Sequence, residues 1–354
     1  MITRACRPDA GGMERFSWEL VYELTRDKKL SVTALAHRGS RRTSPLFVFT
    51  VIPRALMAAG QSDVIHLGDP ILSLVGWLIK IILRKPVAVT VHGLDISYPN
   101  VLYQLYLKLF FRAFDLYLPI SAHVASLLTA RGIIGQNNVI NPNTADRYYD
   151  PRLTRADLQR VLASQLSLQP DTRVLLTVGR LVKRKGHAWF VSEVLTKLPK
   201  SCIYLIAGNG PEREHIAQTA AAHGVAHRVF LLNQVSDTDL QILYNTVDAF
   251  VLPNLKITND VEGFGLVLLE AALCQRLVLA ANTDGIPDAI HHGQNGWLIP
   301  AADAAAWQAA LRTLTPPPGA RAYTQQQYVW PQAAKKYRQA LLSLATRQTT
   351  VSKP

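Results

Sequence analysis

The chain has 354 residues, 49% hydrophobic and 18% charged, with no low-complexity segment, so it is globular and long enough for two domains. A formal charge of +13 and a pI near 9.8 call for an anionic partner, and on charge alone nucleic acid, anionic lipid and nucleotide phosphates all qualify. Cys6, Cys202 and Cys274 have no metal-ligand spacing, which argues against a zinc site; the last two lie in apolar runs, as buried reduced thiols of a cytoplasmic protein would.

No signal peptide is expected, because Arg4, Cys6 and Arg7 follow Met1 almost at once. Residues 1–5 read as the tail of a short strand and residues 7–12 as a loop ending in Gly11-Gly12. Residues 13–25 place Phe16, Leu20, Val21 and Leu24 at helical spacing. Strand, Gly-Gly turn and helix make a backbone surface suited to phosphate or sugar, although turns account for most Gly-Gly pairs. Residues 31–36 and 46–51 read as strands, joined through the basic loop Arg38-Gly39-Ser40-Arg41-Arg42, and 64–67 as another. The longest apolar stretch, 70–83, is broken by Lys80 and falls short of the ~20 residues that span a bilayer, so it reads as a buried or membrane-surface helix.

Residues 86–91 form a continuous apolar run, as inside a parallel sheet. The run ends at His92-Gly93-Leu94-Asp95, where a ligand can sit at the carboxyl end of a strand. His92 there is either a proton-handling or hydrogen-bonding group or an ordinary loop residue. Residues 101–114 combine a wide apolar face with Tyr103, Tyr106, Lys108 and Arg112. They fit a half-buried core helix, or a basic amphipathic face resting on anionic lipid. Residues 115–120 read as a strand, with Ser121 as N-cap of a helix over 122–130.

The turn-rich Asn141-Pro142-Asn143-Thr144-Ala145-Asp146 closes a first domain over 1–145, and the polar residues 146–170 read as a linker. Alternation then restarts, with strands expected at 174–178, 203–207, 229–232, 249–252, 277–280 and 296–299. Helices are expected at 187–198, 211–223, 237–244, 266–274 and 303–314. Pro316-Pro317-Pro318 ends a second domain over 171–318, and 319–354 carries a terminal helix at 332–344. The pattern is that of doubly wound α/β domains.

Candidate chemistry gathers in the second half. Gly179-Arg180-Leu181-Val182-Lys183-Arg184-Lys185-Gly186 follows directly on a strand, where α/β ligands bind. Arg180 can fork onto two phosphate oxygens and Lys185 adds a compact charge, whereas Lys183 and Arg184 read as solvated. Gly208-Asn209-Gly210-Pro211 lacks the third glycine of a dinucleotide fingerprint and reads as a turn. Farther on, Glu262 and Glu270 lie eight residues apart around Gly263-Phe264-Gly265. The glycines suit positive φ or close approach of backbone to a ligand. Leu266 opens an apolar helix whose first N–H groups and positive dipole end suit phosphate. Glu270 among leucines needs a partner, which vicinal ribose hydroxyls, a capping contact or an arginine would supply.

Together these features resemble the GT-B glycosyltransferases, and more narrowly the retaining, nucleotide-sugar-dependent family four. The resemblance spans almost the whole chain and rests on Gly11-Gly12-Met13-Glu14-Arg15, His92-Gly93, residues 139–146, Gly179-Arg180 with Lys185-Gly186, residues 208–211, and residues 262–270. It implies two Rossmann-like domains facing a central cleft, with the C-terminal helix crossing back to the first. It also implies that Arg180 and Lys185 hold the donor diphosphate with the N–H groups of Phe264, Gly265 and Leu266, in the turn that Gly263 begins. Glu270 would bind the ribose, Glu262 the donor sugar, Gly11 and Gly12 the phosphate or acceptor, and His92 would lie near the transferred sugar.

The donor would be a nucleotide-diphosphate sugar and the acceptor a hydroxyl of a glycan or lipid-linked glycan in lipopolysaccharide or surface polysaccharide assembly. No tightly bound cofactor and no metal is implied. An anionic membrane surface is a candidate partner, with the protein in the cytoplasm or on the inner face of its membrane. Two departures stand out. The first strand looks clipped at Met1, and Thr144 follows the Pro142-Asn143 pair where the family usually has glycine. Two other readings are a sugar-nucleotide epimerase of the same fold and a basic nucleic-acid-binding protein. The latter fits poorly, because Lys and Arg are scattered over both halves and form no stripe.

Overall fold

The computed structural model describes residues 1–4, 12–37, 44–163 and 166–351. The chain divides into two units, Met1–Asn143 with Val329–Pro354, and Thr144–Tyr328.

In the first unit, short apolar runs form β1 (Ile2–Thr3), β2 (Leu35–Ala36), β3 (Ile65–Leu67), β4 (Val87–Val91) and β5 (Leu116–Pro119). They pair in parallel in the order β2-β1-β3-β4-β5. Each position of β4 is buried, which is why its sequence is apolar but for Thr90 and does not alternate. The helix Gly12–Arg26 buries Phe16, Leu20 and Leu24 in one cluster with Trp330, Ala333, Tyr337 and Leu344 of the helix Trp330–Val351. An ion pair, Arg338 to Asp27 at 2.5 Å, adds to that seam. The C-terminal helix thus returns to the first unit after the chain has built the second.

Residues 46–51 are not a strand. They belong to a helix, Ser44–Thr50, that runs on into Ile52–Gly60. Val48, Val51, Ala55 and Ala59 are the buried positions, and their spacing of three and four is helical. A short run of β-branched and aromatic residues cannot by itself distinguish the two states, and burial on one stripe decides for helix. The strand expected over 31–36 shrinks to Leu35–Ala36, because β1, its partner, offers only Ile2–Thr3 for pairing.

The second unit carries β6 (Arg173–Val178), β7 (Cys202–Ala207), β8 (Val229–Asn233), β9 (Ala249–Leu252), β10 (Leu277–Ala281) and β11 (Trp297–Ile299). They are ordered β8-β7-β6-β9-β10-β11, again with parallel pairing. The chain starts in the middle of this sheet, winds to one edge and then returns to fill the other. Its order reverses between β6 and β9. Its core joins Phe190, Val194, Tyr204, Val251, Leu279 and Trp307, with Cys202 buried among them.

The helix expected over 187–198 is helical but not uniform. An α turn, His187–Trp189, widens into a π segment, Phe190–Val194, and tightens to a 3-10 turn, Leu195–Lys197. Beyond the three prolines a helix not anticipated from the sequence, Ala320–Gln327, packs on Leu266–Leu273. Its Arg321 forks onto Asp146 and lies 3.6 Å above the Tyr149 ring. That ties the start of the second unit to its end.

Candidate functional site

In a doubly wound sheet, the loops leaving the carboxyl ends of two strands separate on either side of the point where strand order reverses, and a crevice opens there. In the second unit those strands are β6 and β9. The loop after β6 holds Gly179 to Gly186, and the loop after β9 runs from Pro253 to Gly265. The topology therefore brings together two segments some eighty positions apart in sequence. The backbone stitches them: the Leu255 N–H donates to the Arg184 carbonyl at 2.7 Å. Gly186 has φ +66, and a Cβ there would lie 2.0 Å from the Pro253 carbonyl oxygen, so only glycine permits this approach.

The 3-10 turn Lys183–Lys185 then directs Lys185 inward. Its Nζ lies 2.5 Å from Glu262 Oε2, with Lys185 6% exposed and Glu262 9% exposed. Asn254, fully buried at the end of β9, donates to the same carboxylate at 3.1 Å. The Glu262 backbone is clamped as well, its N–H donating to Asp284 and its carbonyl accepting from Gly285, both at 3.0 Å. Burial works against ionisation of Glu262, but Lys185 and Arg184 overcome it and hold the carboxyl at about 2. Burial lowers the pKa of Lys185, and Glu262 opposes that shift.

Arg184 is not a solvated cation. It bonds Asp260 at 3.0 Å and approaches Glu262 at 3.5 Å. Lys183 and Arg180 are exposed, Arg180 just past the carboxyl end of β6. Beneath Lys185, His187 is buried with Nδ1 3.0 Å from the Tyr204 hydroxyl; burial and the Lys185 charge push its pKa down to about 3, so it is neutral.

The Gly263-Phe264-Gly265 turn is set by Gly265, which has φ +95 and caps the helix Leu266–Leu273. Gly263 is not among the positive-φ glycines. Phe264 is buried with its ring 6.0 Å from that of Tyr328. Leu266 opens the helix, whose first N–H groups have no intrahelical acceptor. Glu270 is 5% exposed and accepts from the Tyr244 hydroxyl at 2.8 Å. Burial first, and Glu270 second, push the Tyr244 pKa far up, so the phenol stays the donor.

Arg180, Lys185, Glu262, Gly263, Phe264, Gly265, Leu266 and Glu270 thus belong to the second unit, and Gly12 and His92 to the first. Gly12 opens the helix Gly12–Arg26; Gly11 lies outside the described residues. His92 Nε2 is 3.1 Å from the Gly68 carbonyl, and a carbonyl only accepts, so Nε2 carries the proton. Gly68 follows β3, and its neighbour Asp69 is buried and paired with Arg4 at 3.0 Å. The backbone N–H groups of His92 and Gly93 both donate to buried Asp95 at 2.8 Å. Burial raises the pKa of Asp95, against the pull of His92 and those two bonds.

Asn254, Tyr244 and Asp69 are the participants that sequence reasoning did not single out. Asn254 and Asp69 had a signal, each standing two residues past a strand's carboxyl end; Tyr244 did not. Among the described residues no group of three or more His, Cys, Asp or Glu side chains could hold a metal ion.

Residues 160–327 match the family model for glycosyl transferases group 1, and residues 7–144 that for a glycosyl transferase 4-like domain. Over 152 residues the chain is 34% identical to D-inositol 3-phosphate glycosyltransferase of Mycobacterium ulcerans, covering 41% of this chain and 31% of that protein. It is 28% identical over 236 residues to the putative colanic acid biosynthesis glycosyltransferase WcaL of Salmonella typhimurium, covering 65% of this chain and 55% of that one. The chain therefore spans between about a third and about half of the length of these curated relatives.

Among solved structures, Anabaena Alr3699/HepE in complex with UDP-glucose matches with a TM-score of 0.76 at 18% identity, over 97% of this chain and 99% of that one. The lipopolysaccharide outer core galactosyltransferase WaaB matches at 0.69 and 16%, over 97% and 98%. At such identities the likeness is one of fold, and two doubly wound parallel units in one chain are the α/β architecture called GT-B. Two family models that between them take in both units, together with this fold, place the chain in the group 1 glycosyl transferases.

Proposed function

We propose that the protein transfers a sugar from a nucleotide-diphosphate sugar to an acceptor hydroxyl, with retention at the anomeric carbon. The observation that carries this reading is the buried Lys185–Glu262 pair at the point where the second sheet reverses, beside the Gly265-capped helix. Lys185, Arg180 and the N–H groups of Phe264, Gly265 and Leu266 take up negative charge as the diphosphate departs. Glu262 positions the hydroxyls of the donor sugar, and Glu270, steadied by Tyr244, holds the ribose.

The acceptor oxygen bonds to the anomeric carbon on the face that the phosphate oxygen leaves, and the acceptor's proton passes to that oxygen. No carboxylate pair flanking the bond is required, in contrast to retaining glycosidases. A glycan or glycolipid of surface polysaccharide assembly is the proposed acceptor. The name of one relative supports it, that for colanic acid biosynthesis.

The test is a thermal-shift panel of UDP-, GDP- and ADP-sugars, followed by transfer or hydrolysis assays with the sugar that binds. The true donor raises the melting temperature by mass action. Lys185→Ala and Glu262→Ala, confirmed as folded by circular dichroism, lose donor turnover. No shift with any sugar nucleotide, or full activity in both variants, would overturn the reading.

A further inference from the structure

The strands of the second sheet begin at the end away from the loops after β6 and β9, and a cavity of about 630 Å³ opens there. Residues 196–200, leading into β7, form one wall, and Gly224, Val225 and Arg228, leading into neighbouring β8, form another. Arg312 reaches it from the last turn of the helix Ala304–Thr313. Lys197, Lys200, Arg228 and Arg312 thus surround one space that no carboxylate lines. Asp171 lines a smaller neighbouring cavity of about 170 Å³ that shares Arg312. None of the four cations has an ion pair among the described residues.

Carbonyls at helix and loop ends account for part of this charge. Arg228, 4% exposed, donates from Nε to the Cys202 carbonyl and from Nη2 to the Pro199 carbonyl, both at 2.8 Å. Arg312 Nη2 donates to the Lys197 carbonyl at 3.0 Å. These bonds set the walls and leave donors over: Arg228 Nη1 and the Lys197 and Lys200 ammonium groups have no partner among the described residues. Cations gathered around one space repel one another, and an anion seated among them relieves that repulsion. We propose that this cavity binds a small organic compound carrying two phosphoryl groups. Guanidinium forks and ammonium groups would take the phosphoryl oxygens, with Leu198, Pro199 and Val225 against the carbon skeleton. The volume falls within the roughly 300–1,000 Å³ of small-molecule sites, and a single inorganic phosphate would leave most of it, and most of the cations, unused. The inference goes beyond sugar transfer and does not depend on it, because the donor loops leave the opposite ends of these strands.

The experiment is calorimetric titration of the full chain with fructose 1,6-bisphosphate, glucose 6-phosphate and orthophosphate at constant ionic strength. The bisphosphate is expected to bind at least about tenfold more tightly than either monophosphate, since it gains a second set of charged hydrogen bonds. Lys200 and Arg312 are exposed, so their variants should fold, which melting temperatures check. Lys200→Gln should weaken bisphosphate binding by about tenfold, and Lys200→Gln/Arg312→Gln by about a hundredfold. Arg180→Gln, among the donor loops, should leave it unchanged. Four results would overturn the proposal: no binding of the bisphosphate, equal affinity for orthophosphate, unaltered binding in the double variant, or loss of binding in Arg180→Gln. So would a short single-stranded DNA that displaces the bisphosphate and binds more tightly, since the cations would then serve a polymer. A silent donor panel with intact bisphosphate binding would sink the transferase reading and leave this one standing.

Discussion

Lys185 and Glu262 gain most of their interaction from being out of water, and the same burial makes each costly without the other. Removing one partner of such a pair typically costs 3–5 kcal/mol, because a charge stays buried. Glu262→Ala leaves Lys185 and Arg184 with only Asp260 opposite. It should therefore destabilise more than an exposed substitution such as Lys183→Ala. The double variant Lys185→Met/Glu262→Gln should lose less than the sum of its singles by roughly 0.5–3 kcal/mol, read from melting temperatures in a double-mutant cycle. Strict additivity would mean that the pair is not coupled. The sign with pH follows from Glu262: its folded pKa of about 2 lies below the unfolded value, so its contribution is full near neutrality and is lost as pH falls toward 2. Both residues were legible because each stands beside glycine, Lys185 in a loop that leaves a strand end and Glu262 in the turn before an apolar helix. Arg184 was not, since Lys183-Arg184-Lys185 reads as one cationic run until a 3-10 turn sends its members in different directions.

The loop after β6 and the loop after β9 depend on each other's backbone, which makes Gly186 a test of their seating. An alanine there is strained by φ +66 and overlaps the Pro253 carbonyl. Gly224 has nearly the same φ, +69, with nothing within 4 Å, so alanine at that position incurs the backbone strain alone. Gly224→Ala should cost about 1–2 kcal/mol. Gly186→Ala should cost distinctly more and also reduce the thermal shift given by the donor sugar, because Lys185 precedes it. Equal melting temperatures for the two variants would show that the loops are not seated on this contact. Elements with a long uniform environment were readable: β4, β7 and β10, buried on both faces, are apolar runs but for Thr90. The helix Ser44–Thr50 was misread because its strand-forming residues are decided by a stripe of burial, which local composition does not encode. The helix Ala320–Gln327 was missed because its polar sequence has little apolar period, and its anchor, Arg321 on Asp146, is a contact across the length of the unit.

At the scale of the molecule, alternation along the chain was enough for two doubly wound α/β units, but strand order was not. Nothing local says that β9 lies beside β6, and that adjacency is what turns Lys185 and Glu262 into one site. Each unit also buries a neutral histidine. His66 in the first contacts Thr90 at 2.8 Å through Nε2, and His187 in the second contacts Tyr204 at 3.0 Å through Nδ1. The remaining ring nitrogens have no partner among the described residues. Burial pushes both pKa values from 6.5 down to about 3. The unfolded chain therefore binds more protons than the folded one between pH 3 and 6.5, and stability present above 6.5 is lost as pH falls through that window. Each histidine should withdraw about 1.4 kcal/mol per pH unit below about pH 6.5. Most carboxylates stay ionised down to about pH 5.5, so calorimetry between pH 7.5 and 5.5 reads the histidines together with the buried N-terminal amine, whose pKa burial lowers to about 6, and histidine variants separate the two. The wild type should melt lower at the acid end. His66→Gln should flatten the dependence for the transition of the first unit, and His187→Gln for that of the second. A melting temperature unchanged across that range in the wild type would mean that neither histidine is held neutral by the fold.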